Sequence, residues 1–214
     1  MARVQNTLIG RASGSVGGAT FSTWKGINVL KEKPITVANP RTEGQTAQRS
    51  RLSVMVAFYR TIAQIIQVGF SSLAIGKSQY NAFLGVNIVP ATTIDGSNSA
   101  VLAPILLKIS KGSMGVTPLD DADFENGVNT ITAYWNDGLI PIGGASDDIP
   151  YVLVFNQTQN LISSGNNGVR SDGAIDVPAG YTVASGDVLF VYLFFKDNAT
   201  NLVSDSQVLS ITKA

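Results

Sequence analysis

The 214-residue chain contains no cysteine and no histidine. Without cysteine there is no disulfide framework, no thiolate nucleophile and no zinc–thiolate site. Without histidine the commonest general base and the commonest metal ligand are both missing, and the usual serine triad is out of reach. Charged residues make up only 14% of the chain. Charge is depleted at the cores of interfaces, so this composition suits a protein that buries surface against neighbours. No run of about 18 apolar residues occurs. The greasiest stretch, residues 54–70, is broken by Arg60, Gln64 and Gln67, so no membrane span is expected. The start, Met1-Ala2-Arg3-Val4-Gln5-Asn6, lacks an apolar signal core, and folding in a cytoplasm is expected.

What charge there is, is segregated. Residues 1–60 hold nine bases and two acids, a balance of +7; residues 61–214 hold six bases and thirteen acids, a balance of −7. A basic end on an acidic body suggests a segment that docks on an acidic partner. The bases are spread singly, and Phe21 and Trp24 are the only nearby stacking groups, so a protein partner is favoured over nucleic acid. Arg3, Arg11, Lys25, Lys31 and Lys33 are the candidate partner-binding residues.

Residues 10–18 contain four glycines and cannot hold a helix. Their glycine loops lack the Gly-Lys-Ser/Thr ending of a nucleotide cradle and read instead as a flexible arm or a close backbone approach. Residues 19–24 and 27–31 are β-prone runs joined by Lys25-Gly26, which predicts a hairpin. A lone hairpin is barely stable in water, so this one needs a cover. Lys33-Pro34 and Asn39-Pro40 predict extended chain. Thr42 and Gln45 form a capping box that opens a helix over 43–68, with Gly69 as its stop. Leu52, Met55, Tyr59, Ile62 and Ile66 form one apolar row, and Val54, Phe58 and Ile65 a second. That is more apolar surface than one sheet face covers. Ser78 is placed to cap a short helix over 79–84.

From about residue 100 the pattern becomes strand and turn. Strands are expected near 103–110, 128–135, 150–156, 174–177, 187–195 and 202–211, with the almost wholly apolar 188–195 run as a central strand. Trp135 and Tyr151 are expected to pair in the core. The fold class expected is α+β, mainly β: a basic Gly-rich arm and hairpin (1–42), a helical segment (43–99), and an antiparallel immunoglobulin- or fibronectin-like β-sandwich (100–214). The acid cluster over 120–127 departs from the EF-hand pattern, because Thr132 stands where the loop's last ligand, a Glu, belongs. It reads as a solvated loop, and Asp147-Asp148 reads as a turn. No catalytic residue, cofactor site or metal site is assigned.

Several short motifs carry a resemblance: Trp24-Lys25-Gly26, Asn39-Pro40-Arg41-Thr42, Asn81-Ala82-Phe83, Ile109-Ser110-Lys111-Gly112-Ser113, Gly186-Asp187 and Val203-Ser204-Asp205-Ser206. With them the chain resembles, nearly end to end, an uncharacterised family from Bacteroidetes-type bacteria and their phages. The resemblance implies a phage or prophage setting and no particular activity. The function expected is a non-enzymatic virion component, such as a capsid-decorating, head-fibre or tail-associated protein. It would be assembled in the host cytoplasm and anchored by its basic N-terminal region to copies of itself or to other virion proteins. A bacterial adhesion or carbohydrate-binding module is the alternative, and a two-carboxylate hydrolase ranks third.

Overall fold

In the computed structural model, residues 2–3, 13–36, 39–125, 129–200 and 202–213 are described. The chain is mostly β, with two α-helices and several antiparallel sheets. It divides into two compact units, Met1–Thr42 and Glu43–Ala214. The helices and the C-terminal strands therefore belong to one unit.

The first unit is a four-stranded antiparallel sheet in the order β1-β4-β3-β2, built from β1 (Ala2–Arg3), β2 (Gly14–Val16), β3 (Ala19–Trp24) and β4 (Ile27–Glu32). Lys25 (φ 49°) and Gly26 (φ 79°) both take positive φ, the requirement of a type I′ turn, and they join β3 to β4 as the sequence predicts. The glycine-rich stretch is not a loose arm throughout: Gly14–Val16 pairs with β3 across the Gly17-Gly18 turn.

The second unit opens with α1 (Glu43–Gly69), which starts immediately after Thr42. Its buried residues are Met55, Phe58, Ile62, Ile66 and Gly69, spaced 3, 4, 4 and 3. Leu52, expected in the core row, is exposed, and Phe58 from the second row is buried instead. The helix is kinked at Ile62 (φ −117°, ψ 17°). Thr61 sits beside it and donates its Oγ1–H to the Phe58 carbonyl at 2.6 Å, a back-bond that bends helices. Gly69 ends the helix where space demands it, since a Cβ there would lie 2.3 Å from the Ile109 carbonyl oxygen. The helix is long and apolar enough to cross a membrane, but core helices pass the same test, and this one packs on a sheet. α2 (Gln79–Asn87) is capped by Ser78, whose Oγ accepts from the Asn81 amide at 3.2 Å.

A hairpin of β5 (Thr92–Ile94) and β6 (Ala100–Leu102) follows. One sheet then runs β11-β8-β7, from β7 (Leu119–Glu125), β8 (Thr130–Trp135) and β11 (Ala174–Pro178). The other runs β10-β9-β12-β13, from β9 (Ile149–Asn156), β10 (Leu161–Gly165), β12 (Val188–Lys196) and β13 (Gln207–Thr212). β12 is central, as its apolar run predicts, and its two faces serve two cores. Phe190, Tyr192 and Phe194 join α1 and α2 residues in one. Leu189, Val191, Leu193 and Phe195 meet Ile131, Ala133, Trp135, Ile175 and Val177 of the three-stranded sheet in the other. Period-two alternation puts successive side chains on opposite faces, so both layers follow from one strand.

Three expectations fail. Residues 103–110 make no strand; Pro104–Leu106 is a single helical turn in irregular chain. Through Glu125 the acid cluster is not a loop but the edge strand β7, with Ala122 buried while Asp121 and Asp123 face out; Asn126 and Gly127 lie outside the described residues. Acids on an edge strand discourage pairing with other chains. Trp135 packs edge-on against Phe195 at 5.3 Å rather than on Tyr151, which stacks on Phe194 in the other core.

Candidate partner-binding surfaces

Among the residues of the first unit whose side chains are described, which leave out Ala2, Arg3 and Trp24, none is buried. Phe21 stands opposite Leu30, and Ser22 opposite Val29, so each sheet face carries apolar groups. Val16 is 73% exposed and Ile35 98%. A sheet becomes stable by covering a hydrophobic face, and here neither face is sealed. Lys31 and Lys33 are exposed on and beside β4, and Lys25 is exposed in its turn. Arg3 lies in β1 opposite Val29; Arg11 lies outside the described residues. Ser22 and Lys25 have the spacing of a Ser-x-x-Lys pair, but they fall on a strand and its turn, where they share no helical face.

The second unit has a partly uncovered helix. Only 28% of the most apolar 18-residue window of α1 is buried. A cleft of about 390 Å³ opens between α1, β6 and the β9–β10 hairpin, lined by Val54, Phe58, Leu102, Phe155 and Ile162 with Gln157 and Asn160 at its polar side. Arg49, Leu52, Val56 and Arg60 mark a second stripe along the helix.

The two motifs most specific to the resemblance meet in one clasp. Ser110 Oγ donates to the Ser204 carbonyl at 2.6 Å, with the Gly69 carbonyl also in range at 2.9 Å. The Ile109 amide donates to Ser206 Oγ at 3.1 Å, and the Phe195 amide to Ser204 Oγ at 2.9 Å. Asp205 pairs with Lys111 and accepts from the Gly112 amide at 3.0 Å. Gly112 has no room for a side chain, since a Cβ would lie 1.9 Å from the Val203 carbonyl oxygen. These serines are held by backbone on every side. They form a joint between the end of α1, the 109–114 segment and the chain entering β13, not a nucleophile.

A second buried network is absent from the sequence-based expectations. Asp148 and Arg170 are both wholly buried and ion-paired, with Arg170 Nη2 2.8 Å and Nε 3.1 Å from Asp148 Oδ2. The guanidinium also donates to Thr117 Oγ1 and lies 3.8 Å from the centre of the Phe195 ring. The Arg170 carbonyl accepts from Trp135 Nε1 at 2.7 Å. Asp148, expected in a plain turn, is thus a core residue. One signal does point to it: Arg170 is the one base between Lys111 and Lys196, and a lone cation in an acidic, apolar stretch calls for a partner. Asp187 forms a smaller network. Its Oδ2 accepts from Asn156 Nδ2 (2.8 Å), the Ala184 amide (2.9 Å) and Gln159 Nε2 (2.6 Å). The Asn156 hydrogen bond, followed by the Ala184 amide, holds its carboxyl below the usual range. Burial pushes the Tyr192 hydroxyl well up, and that hydroxyl donates to the Pro104 carbonyl at 2.8 Å.

Among the described residues no group of three or more acids is placed to hold a metal ion. Asp148 Oδ2, Arg170, Asp187 and the Tyr192 hydroxyl are taken up by structural partners, whereas Asp148 Oδ1 and the Tyr181 hydroxyl are buried without a hydrogen-bond partner. No curated protein and no solved structure matches the chain. Residues 11–210 match a family of unknown function (DUF6266), and the chain belongs to that family.

Proposed function

We propose that this protein is a non-enzymatic structural component of a phage virion, docked through its N-terminal unit. The body over 100–214 is read as an immunoglobulin-like sandwich that displays loops, with α1 packed on one of its sheets. The observation that supports the docking role is the first sheet, in which none of the side chains described is buried. Four strands with apolar groups on both faces need another surface to cover them. The charge of this unit supports an acidic partner. Arg3, Lys25, Lys31, Lys33 and Arg41 are set against a single acid, Glu32, among its described residues. An extended, edge-bearing unit can also add to a neighbour's sheet and gain main-chain hydrogen bonds independently of sequence. The half-covered α1 offers further surface for assembly. The virion setting rests on the resemblance to phage and Bacteroidetes-type sequences.

Deletion of residues 1–42 tests the docking role. The shortened chain keeps both hydrophobic cores, since every core residue described as buried lies beyond Thr42. It should therefore unfold cooperatively in urea. It should also be missing from purified particles that carry the full chain. Occupancy of the shortened chain equal to that of the full chain would remove the first unit as the anchor. Absence of the full chain from particles would remove the virion setting.

A further inference from the structure

The second unit carries an apolar tip with an acidic rim, and its parts come from four loops tied into one end. Leu139, Ile140 and Ile142 are exposed around Pro141, Ile142 by 93%. The Gly115 amide donates to the Ile142 carbonyl at 2.9 Å, which brings exposed Val116 alongside. The loop is held in shape. The Gly138 amide donates to Asn136 Oδ1 at 3.0 Å, the Gly144 amide to the Pro141 carbonyl at 2.9 Å, and the Ala145 amide to Asp148 Oδ2 at 2.9 Å. The buried Asp148–Arg170 pair therefore underlies the tip. Preorganised apolar groups of this kind bind with little ordering cost.

The rim is acidic. Asp137 lies beside the 170–173 turn, since a Cβ on Gly173 would be 3.5 Å from the Asp137 Cβ. Asp147 accepts from Asn198 Nδ2 at 3.4 Å, which places the Asp197 turn next to it. With Asp172 the rim has four carboxylates, and Lys196 beside Asp197 is the neighbouring cation. The first unit has the complementary character: uncovered apolar groups on a sheet whose described bases outnumber its acids.

We infer that the partner of the first unit is a second copy of this chain, docked head to tail on the Leu139–Ile142 tip with Lys31 and Lys33 facing the Asp137 and Asp147 rim. This rests on the reading that the first unit is the docking element, and it names the surface that receives it. Such a contact joins two different patches, so it propagates into rings or filaments instead of stopping at a symmetric dimer.

Sedimentation velocity on the full chain tests this at about 0.05 M salt, where the Debye length is about 14 Å, and again at about 0.5 M, where it is about 4 Å. Mass should rise with protein concentration at low salt and fall back at high salt. D137K/D147K and K31E/K33E should each weaken self-association by at least about tenfold, since like charges then face each other. Mixed one to one, the two variants should associate again as alternating copies. The intact sheet of one meets the intact tip of the other, and the reversed sheet meets the reversed tip, so opposite charges face at both junctions. Urea midpoints of both variants should match the parent, because all four residues are exposed. A full chain that stays monomeric at all concentrations overturns the contact, as does unchanged association in D137K/D147K or a mixture that fails to recover. Any of these results leaves the particle-occupancy experiment on the 1–42 deletion as the separate test of docking.

Discussion

Asp148→Asn removes one charge from the interior and little else. Asp148 and Arg170 are each 0% exposed, so the guanidinium cannot turn to water when its partner is neutralised. Asp148 Oδ2 receives three donors: Arg170 Nε, Arg170 Nη2 and the Ala145 amide. Asp148 Oδ1 has no hydrogen-bond partner. The asparagine oxygen must keep the Oδ2 place, which sets its NH2 at the Oδ1 place with no acceptor. The variant therefore leaves a buried cation without its counter-charge and adds an orphan donor. Breaking a buried pair from one side costs about 3–5 kcal/mol. With a urea slope of about 2.5 kcal/mol per M, a loss of about 4 kcal/mol lowers the midpoint by about 1.6 M.

Removing both charges is a different perturbation. Arg170→Met with Asp148→Asn keeps chain volume under the Phe195 ring and leaves no buried charge, so it should recover half or more of the single-variant loss. The assay is equilibrium urea unfolding followed by Trp135 fluorescence, because Trp135 Nε1 bonds the Arg170 carbonyl. A cost below about 1 kcal/mol for Asp148→Asn would refute the reasoning, and would mean that the pair is hydrated in solution.

Trp135→Ala should cost about 3–5 kcal/mol, because the ring is buried against Phe195 and its removal leaves a large cavity; a loss under about 1 kcal/mol, read by urea unfolding followed by far-UV circular dichroism, would misplace that core. Gly112→Ala forces a Cβ to within 1.9 Å of backbone at Val203, and should lower the thermal midpoint by several degrees, whereas Gly180→Ala, which meets nothing within 4 Å, should cost only its φ of 70°. Stability should be level from about pH 5.5 to 8.5, since no histidine or cysteine titrates there. Below that the sign is fixed by Asp187 and Asp197, whose hydrogen bonds hold both carboxyls below the ordinary 3.8. Their contribution is complete above that value and is lost as pH falls through the lower folded values, so urea midpoints should drop in acid and show no inflection near about pH 6–7.

Local signals are legible where the chain's own pattern decides the structure. Thr42, the 3.6-residue spacing and Gly69 mark α1 to within a residue, and Lys25-Gly26 marks the I′ turn. The 188–195 run marks the central strand, because only a strand covered on both faces tolerates apolar residues at every position. The misses have tertiary causes. β7 alternates acids with Ala122 and Phe124, so half of its residues speak for solvent, and its strand character depends on pairing with β8. β10 is rich in serine and ends in Gly165, and is set by its register on β9. Residues 103–110 look like a strand because they are apolar, but Pro104 sits where its carbonyl accepts from Tyr192, and the segment is used as packing material. Asp148 and Arg170 are 22 residues apart, and no local rule joins them. Of the surfaces, the basic character of the first unit is visible in the sequence, while the Leu139–Ile142 tip reads only as turn. Its signal is an apolar run interrupted by Pro141, which cannot continue a central strand.

The clasp and the bare sheet bear on function in opposite ways. Ser110, Gly112, Ser204 and Asp205 are consumed by holding the second unit together, so the motifs that make the chain recognisable say how the body is locked, not what it acts on. The first sheet contributes no described buried residue to any core. Yet the family match begins at residue 11 and takes in β2, β3 and β4 along with the clasp. On the docking reading proposed above, this part of the family's shared span meets a surface outside its own fold. Its apolar groups exclude a purely solvated role, and its lysines set the sign of what it meets. The body in turn presents carboxylates around an exposed apolar loop. On that reading, one chain holds both halves of the proposed contact.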